Sequence, residues 1–181
     1  METLPDYLRP GLDVVFVGIN PGFYSAQVGH YFATARNRFW SAFNAAAMTP
    51  KALGPETDSK VLDYRIGFTD VVKRPTRSMS ELKQPEFREG AKDLLEKLLA
   101  HQPKVVCFNG LSGYKNFAKY TGTDAKGVTL GLQPTRIGNA RVFVLPSTSP
   151  ANAAVSLERI VEGMRELRVC VTEISVHDAD D

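Results

Sequence analysis

With 181 residues, 43% hydrophobic and 23% charged, the chain is sized for one domain with its own core, and its composition fits neither a disordered nor a membrane protein. No apolar run approaches the roughly 20 residues that cross a bilayer, which sets aside membrane-spanning helices. The net charge of +2 conceals an asymmetry: Glu173–Asp181 holds four acids and no Lys or Arg, leaving 22 basic against 16 acidic side chains on residues 1–172. Residues 1–172 are therefore expected to form a single, modestly basic domain, and 173–181 an acidic flexible tail. The opening Met-Glu-Thr-Leu-Pro-Asp has neither the positive start nor the apolar stretch of a signal peptide. The expected location is the compartment of synthesis or the nucleus: bacterial cytoplasm and nucleoid, or a eukaryotic nucleus.

In chain order, Asp13–Ile19 is a nearly unbroken apolar, β-branched run ending in Asn-Pro-Gly, the pattern of a strand buried on both faces. A helical pattern follows over Asn37–Met48, then a second strand-like run at Ile66–Val72. Phe87–Gln102 is the clearest helix, with Leu94, Leu95, Leu98 and Leu99 at helical spacing, and it stops before Pro103. A strand at Lys104–Phe108, a helix at Ser112–Tyr120, a strand at Arg141–Leu145 and a helix at Val155–Arg168 complete the chain. Strands alternating with helices predict a three-layer α/β/α sandwich around a mainly parallel sheet of four or five strands. Ligands of such sheets bind in loops at the carboxyl ends of the strands, here Asn20–Arg38 and Pro146–Ala154. Cys107 sits in an apolar strand and Cys170 lies 63 positions on, so both read as ordinary thiols. No Cys-x-x-Cys pair and no close His/Cys spacing suggests a metal, and no cofactor is expected.

The first loop carries the most information. Gly18 and Gly22 allow a tight turn that Pro21 stiffens, which any βα connection could use. Its length argues for more, because the next helix cap, Asn37, comes some 17 positions after Asn20. Between them stands an aromatic cluster, His30-Tyr31-Phe32, in an otherwise polar segment.

Gly18-Ile19-Asn20-Pro21-Gly22, the Gly29–Phe32 cluster and Asn37-Arg38-Phe39-Trp40 together resemble the first signature of the mismatch-specific uracil/thymine-DNA glycosylases. Gly67–Thr76 is similar to a second stretch of that family. Phe87-Arg88-Glu89-Gly90 and Phe108-Asn109-Gly110 resemble its thymine-glycosylase branch, and Leu145–Ser149 falls where the family has its minor-groove loop. The match runs in register from about Pro10 to Arg168.

The resemblance implies a monofunctional DNA glycosylase of base excision repair. It would flip uracil, or thymine and modified pyrimidines, mispaired with guanine out of the duplex and hydrolyse the N-glycosidic bond. Its partner would be double-stranded DNA, or single-stranded DNA if the opposite base matters little, with a monomer as the default state. Asn20 matches the family's catalytic asparagine, which positions water because an amide takes up no proton at neutral pH. Phe32 matches the aromatic platform for the flipped base, although a core phenylalanine would fit the spacing too. Gly18, Ile19, Ser25, Tyr31 and Asn37 would complete the base pocket, Asn37 doubling as a helix cap. Asp70 departs from the family, which often has a non-acidic residue there; it reads either as a carboxylate near the water or as a turn cap. Lys73 and Arg74, with Arg77, form a basic stretch that suits phosphate contact as well as a solvated loop. Ser147 and Ser149 are further phosphate candidates. Ala151 and Asn152 stand where the family carries a wedge of Leu or Arg, so weak dependence on the opposite base is expected. No lysine lies in either site loop, which points away from strand cleavage through a Schiff base. A nucleotide-binding module is disfavoured by the missing glycine fingerprints. A DNA-damage-binding protein with little catalysis is the alternative that Asn20 argues against.

Overall fold

The computed structural model describes residues 2–178. Five strands, β1 (Val14–Gly18), β2 (Ile66–Asp70), β3 (Val105–Asn109), β4 (Gly131–Ile137) and β5 (Ala140–Leu145), form one sheet in the order β2-β1-β3-β5-β4. Every pairing is parallel except β4 with β5. Helices α1 (Phe23–Val28), α2 (Phe39–Ala45), α3 (Gln84–His101), α4 (Leu111–Thr121) and α5 (Leu157–His177) surround it, with 3₁₀ segments at Pro55–Tyr64 and Met79–Glu81.

Alternation along the buried strands builds two cores. Val14 and Phe16 of β1 point to one face with Cys107 and Phe143, where Phe39, Trp40 and Phe43 of α2 and Ile160, Met164 and Leu167 of α5 cover them. Val15 and Val17 point to the other with Val106, Phe108 and Val144, under Leu94 and Leu98 of α3 and Tyr114 and Phe117 of α4. This is the predicted three-layer sandwich, with five strands. Both cysteines are free, Cys107 buried and Cys170 half-buried.

Two expectations change. Strand β4 is absent from the sequence reading because only one side of it is covered: Gln133 and Ile137 turn inward while Leu132 and Pro134 are exposed. A shift in register between Leu132 and Arg136 breaks its ladder with β5 where Pro134 can give no N–H. The acidic segment expected to be flexible from 173 instead continues α5 to His177; 179–181 lie outside the described residues. Helix α5 keeps Ile174 packed on the core, which is why it outruns the predicted end at Arg168.

The site is positioned by register. Gly18 pairs with Asp70 and Asn109 with Leu145, so the last residues of four parallel strands stand side by side at one edge. Residues 2–13 cross the opposite side of β2, where Tyr7 and Phe68 exchange backbone hydrogen bonds of 2.9 and 3.1 Å.

Candidate active site

A cavity of about 840 Å³ opens at these carboxyl ends. It is lined by Gly18, Ile19 and Asn20 after β1, by Ser25, Tyr31, Phe32 and Asn37 of the long loop, and by Asp70 at the end of β2. Ser147, Ser149, Ala151 and Asn152 after β5 close the opposite wall. Twelve of the fourteen residues singled out in the sequence therefore meet here.

Asn20 is fixed by its nitrogen. Its side-chain N–H groups donate to the Arg74 carbonyl at 2.8 Å and to Thr76 Oγ1 at 2.7 Å. A carbonyl only accepts, so the amide has one orientation, and among the described residues Oδ1 has no protein donor. Thr76 is itself tied to the turn, its backbone N–H donating to Pro21 O at 3.1 Å and its carbonyl accepting from Phe23 N–H at 3.2 Å. Thr76 thus stiffens the asparagine, a role that nothing in the sequence pattern singles out.

Phe32 combines both readings of an aromatic residue in this loop. Its ring stacks on Phe39 with centroids 3.9 Å apart and planes at 11°, while it also lines the cavity. Its backbone is left-handed, φ 53°, an arrangement that costs a side-chain-bearing residue of order 1–3 kcal/mol and needs support. Buried Asp58 supplies it, accepting from Tyr31 N–H at 2.7 Å and Tyr7 Oη at 3.1 Å, with His30 Nδ1 at 3.2 Å. Trp40 Nε1 donates to the Tyr31 carbonyl at 3.0 Å, and Ser25 Oγ accepts from Ala33 N–H at 3.1 Å. Asn37 Oδ1 accepts from Phe39 N–H, the first residue of α2, at 2.9 Å, although the N-cap itself is Arg38 and not Asn37 as expected. Among the described residues Asn37 Nδ2 has no acceptor, and the residue lines the cavity.

Asp70 is buried, and neither carboxylate oxygen accepts a hydrogen bond among the described residues; Oδ2 has no solvent contact either. Its nearest cation is Lys73 Nζ, 3.9 Å from Oδ2. Burial pushes its pKa up to about 7 against the pull of Lys73, with the Asp6 carboxylate adding to the rise. A Cβ on Gly18 would lie 2.5 Å from Asp70 Oδ1, so this carboxyl occupies the space that any side chain at position 18 would need. A turn cap would show accepted backbone N–H groups; Asp70 has none.

Lys73 and Arg74 do not reach the cavity. Lys73 is half-buried and donates to Asp6 at 2.7 Å, and Arg74 makes a two-pronged pair with Glu86 at 2.6 and 3.1 Å. Both cations have intramolecular partners, which a charge run in sequence cannot reveal. Arg77, three positions on, is the cation of this stretch at the rim, its guanidinium 5.6 Å from the centre of the Phe23 ring.

The wall after β5 is organised by two half-buried partners. Asn109 clamps Thr148, donating to Oγ1 at 2.9 Å and accepting from N–H at 3.1 Å. Arg38 donates to the carbonyls of Ser149 at 3.2 Å, Asn152 at 2.9 Å and Val155. Arg38→Ala is expected to destabilise the fold by about 3 kcal/mol, since three carbonyls lose a charged donor. Amide exchange should rise at least about tenfold over 149–155 and little elsewhere; uniform exchange would show that the loop does not depend on Arg38.

Residues 5–168 match the model of the Uracil DNA glycosylase superfamily. Among solved structures the chain is similar to a candidate uracil DNA glycosylase from Methanosarcina acetivorans, determined in solution by NMR. The two are 23% identical, with a TM-score of 0.58 over 96% of this chain and 98% of that one, a likeness of fold.

Proposed function

This chain belongs to the uracil DNA glycosylase superfamily, and from that premise we propose that it is a monofunctional glycosylase removing uracil, whether mispaired with guanine or not, and leaving an abasic site. The superfamily makes it a DNA-acting hydrolase; the finer reading rests on the site. The observation that carries it is Asn20, a cavity-lining residue whose amide nitrogen is locked by the Arg74 carbonyl and Thr76 Oγ1, leaving the lone pairs of Oδ1 free of donors among the described residues. An oxygen so held can aim one water without first reorganising.

In this reading a pyrimidine turned out of the duplex lies against Phe32, whose other ring face is packed on Phe39. The N-glycosidic bond breaks, its electron pair leaves with the base, and the sugar develops oxocarbenium character. Water held by Asn20 Oδ1 bonds to the sugar carbon, and Asp70 takes the water's proton. The Asn37 Nδ2 group is a free donor for a pyrimidine oxygen. The hydroxyl hydrogens of Ser147 and Ser149 suit phosphate, since their oxygens already accept backbone N–H groups at 3.3 and 3.2 Å. Asn152 is bound to the Ser147 carbonyl at 3.0 Å and Ala151 is small, so no long wedge fills the gap left by the base.

The test is incubation with uracil-containing oligonucleotides as G·U duplex, A·U duplex and single strand. Strand breaks are expected only after alkali or heat, and excision from all three substrates within about tenfold of one another. Breaks without alkali would overturn the monofunctional assignment, strict demand for guanine the reading of the loop, and tight binding without product would leave a damage-binding protein.

A further inference from the structure

Lys73 stands between two carboxylates and is bound to the wrong one for a simple ion pair at the site. Its ammonium lies 2.7 Å from Asp6 Oδ1 and 3.9 Å from Asp70 Oδ2. Asp6 has the means to win that competition. It also receives Lys97 Nζ at 2.8 Å on Oδ2 and Thr69 Oγ1 at 2.8 Å on Oδ1. Burial works to raise its pKa, but these donors outweigh it and hold the Asp6 carboxyl below its ordinary value, so it stays charged. Tyr7, the next residue, is fastened to Phe68 of β2 in both directions, and Thr3 donates to the Lys73 carbonyl. The segment carrying Asp6 is therefore rigidly registered against the strand that ends in Asp70.

We propose that Asp6 is a positioning residue that holds the Lys73 ammonium off Asp70 and so keeps the buried Asp70 carboxyl unpaired and ready to take a proton from water. The inference rests on the role given to Asp70 above. A fully formed Lys73–Asp70 pair would turn that carboxylate into a weak base, whereas total removal of the cation would leave a buried carboxyl that ionises only in alkali. Asp6 sets a point between these extremes. The other groups around Asp70 do not do so: the Tyr31 phenol faces it from the aromatic loop and is held far above its usual range by burial, hence neutral. On the side of α3, Lys97 is bound to Asp6, and Glu86, Glu89 and Asp93 share with Asp70 the lining of a second, smaller cleft of about 200 Å³.

Asp6→Asn and Lys73→Met separate this role from mere structural support, because they should move the titration of Asp70 in opposite directions. Asp6→Asn releases Lys73 to Asp70 and removes a neighbouring negative charge, so the midpoint should fall by about one pH unit or more. Lys73→Met should raise it by a similar amount. The midpoint is read twice on the full chain: in the pH profile of uracil excision, and in the ¹³C carboxyl signal of Asp70, assigned by its disappearance in Asp70→Asn. Shifts of opposite sign in the carboxyl signal support the proposal; unchanged midpoints, or rate losses uniform across pH, overturn it. A carboxyl signal that moves while the excision profile does not would uphold the positioning by Asp6 and overturn the catalytic reading of Asp70. Should Asp6→Asn not fold, Asp6→Glu takes its place, since it keeps the charge but moves the carboxylate that holds Lys73: a shifted Asp70 carboxyl midpoint supports the proposal and an unshifted one overturns it.

Discussion

Asn20→Ala is expected to lower uracil excision by about 10²–10³-fold while DNA binding changes less than about threefold, since positioning a nucleophile is worth several kcal/mol and binding involves other walls of the cavity. The more discriminating substitution is Asn20→Asp. In bulk water a carboxylate is the better base, yet here the atom replacing Nδ2 would face the Arg74 carbonyl, now 2.8 Å from a donor. Two acceptors in that contact repel, so the side chain must rotate away or bind a proton. Asn20→Asp should therefore fall close to Asn20→Ala rather than exceed the wild type. Single-turnover excision measured beside binding to a substrate with a non-hydrolysable sugar would show it; an aspartate variant faster than wild type would sink the idea that this residue works as a locked amide.

Asp70→Asn should have two large effects of opposite kind. As a proton acceptor Asp70 must be ionised, so wild-type excision should climb about tenfold per pH unit below its midpoint near 7 and level off above it. The asparagine variant should lose that slope and run about 10²-fold slower at pH 8. Stability should move the other way. The pKa of Asp70 in the fold, about 7, lies above its unfolded value near 3.8, so the fold favours the protonated form. The stabilising contribution of that form is complete below pH 3.8 and is lost as pH rises through 7. At pH 8 the native protein holds a buried carboxylate at a cost on the order of 4 kcal/mol. An uncharged amide of the same shape escapes this, and thermal melts should show Asp70→Asn several degrees more stable than wild type at pH 8, with the gap shrinking toward pH 5. A variant no more stable at pH 8 would mean that Asp70 is solvated or paired in solution.

The parts of this molecule legible in the sequence are those where one residue type answers to one local demand. Runs such as Val14–Val17 can only be strands covered on both faces, and the loop after them is too long to be a connector. The cavity could be placed for that reason, and Asn20, Phe32 and Asp70 all line it. What stayed hidden depends on partners distant in the chain. Lys73 and Arg74 read as free cations until Asp6, 67 positions away, and Glu86 are seen to hold them. Asp58 likewise has no signature, and Arg38, though it stands within the first one, gives no hint of its task, because a side chain that satisfies backbone groups elsewhere is defined by the fold and not by its neighbours in sequence. Strand β4 escaped because an edge needs only half an apolar pattern.

That edge also bears on how the molecule behaves in a crowd. Nucleic acid gathers many copies of a basic protein onto one thread, where open sheet margins would invite strand-to-strand stacking into insoluble aggregates. Here one margin is sealed by Tyr7 lying along Phe68, and the other is interrupted at Pro134 and its slipped ladder. The sheet that carries the site offers no ready template for strand addition at either end.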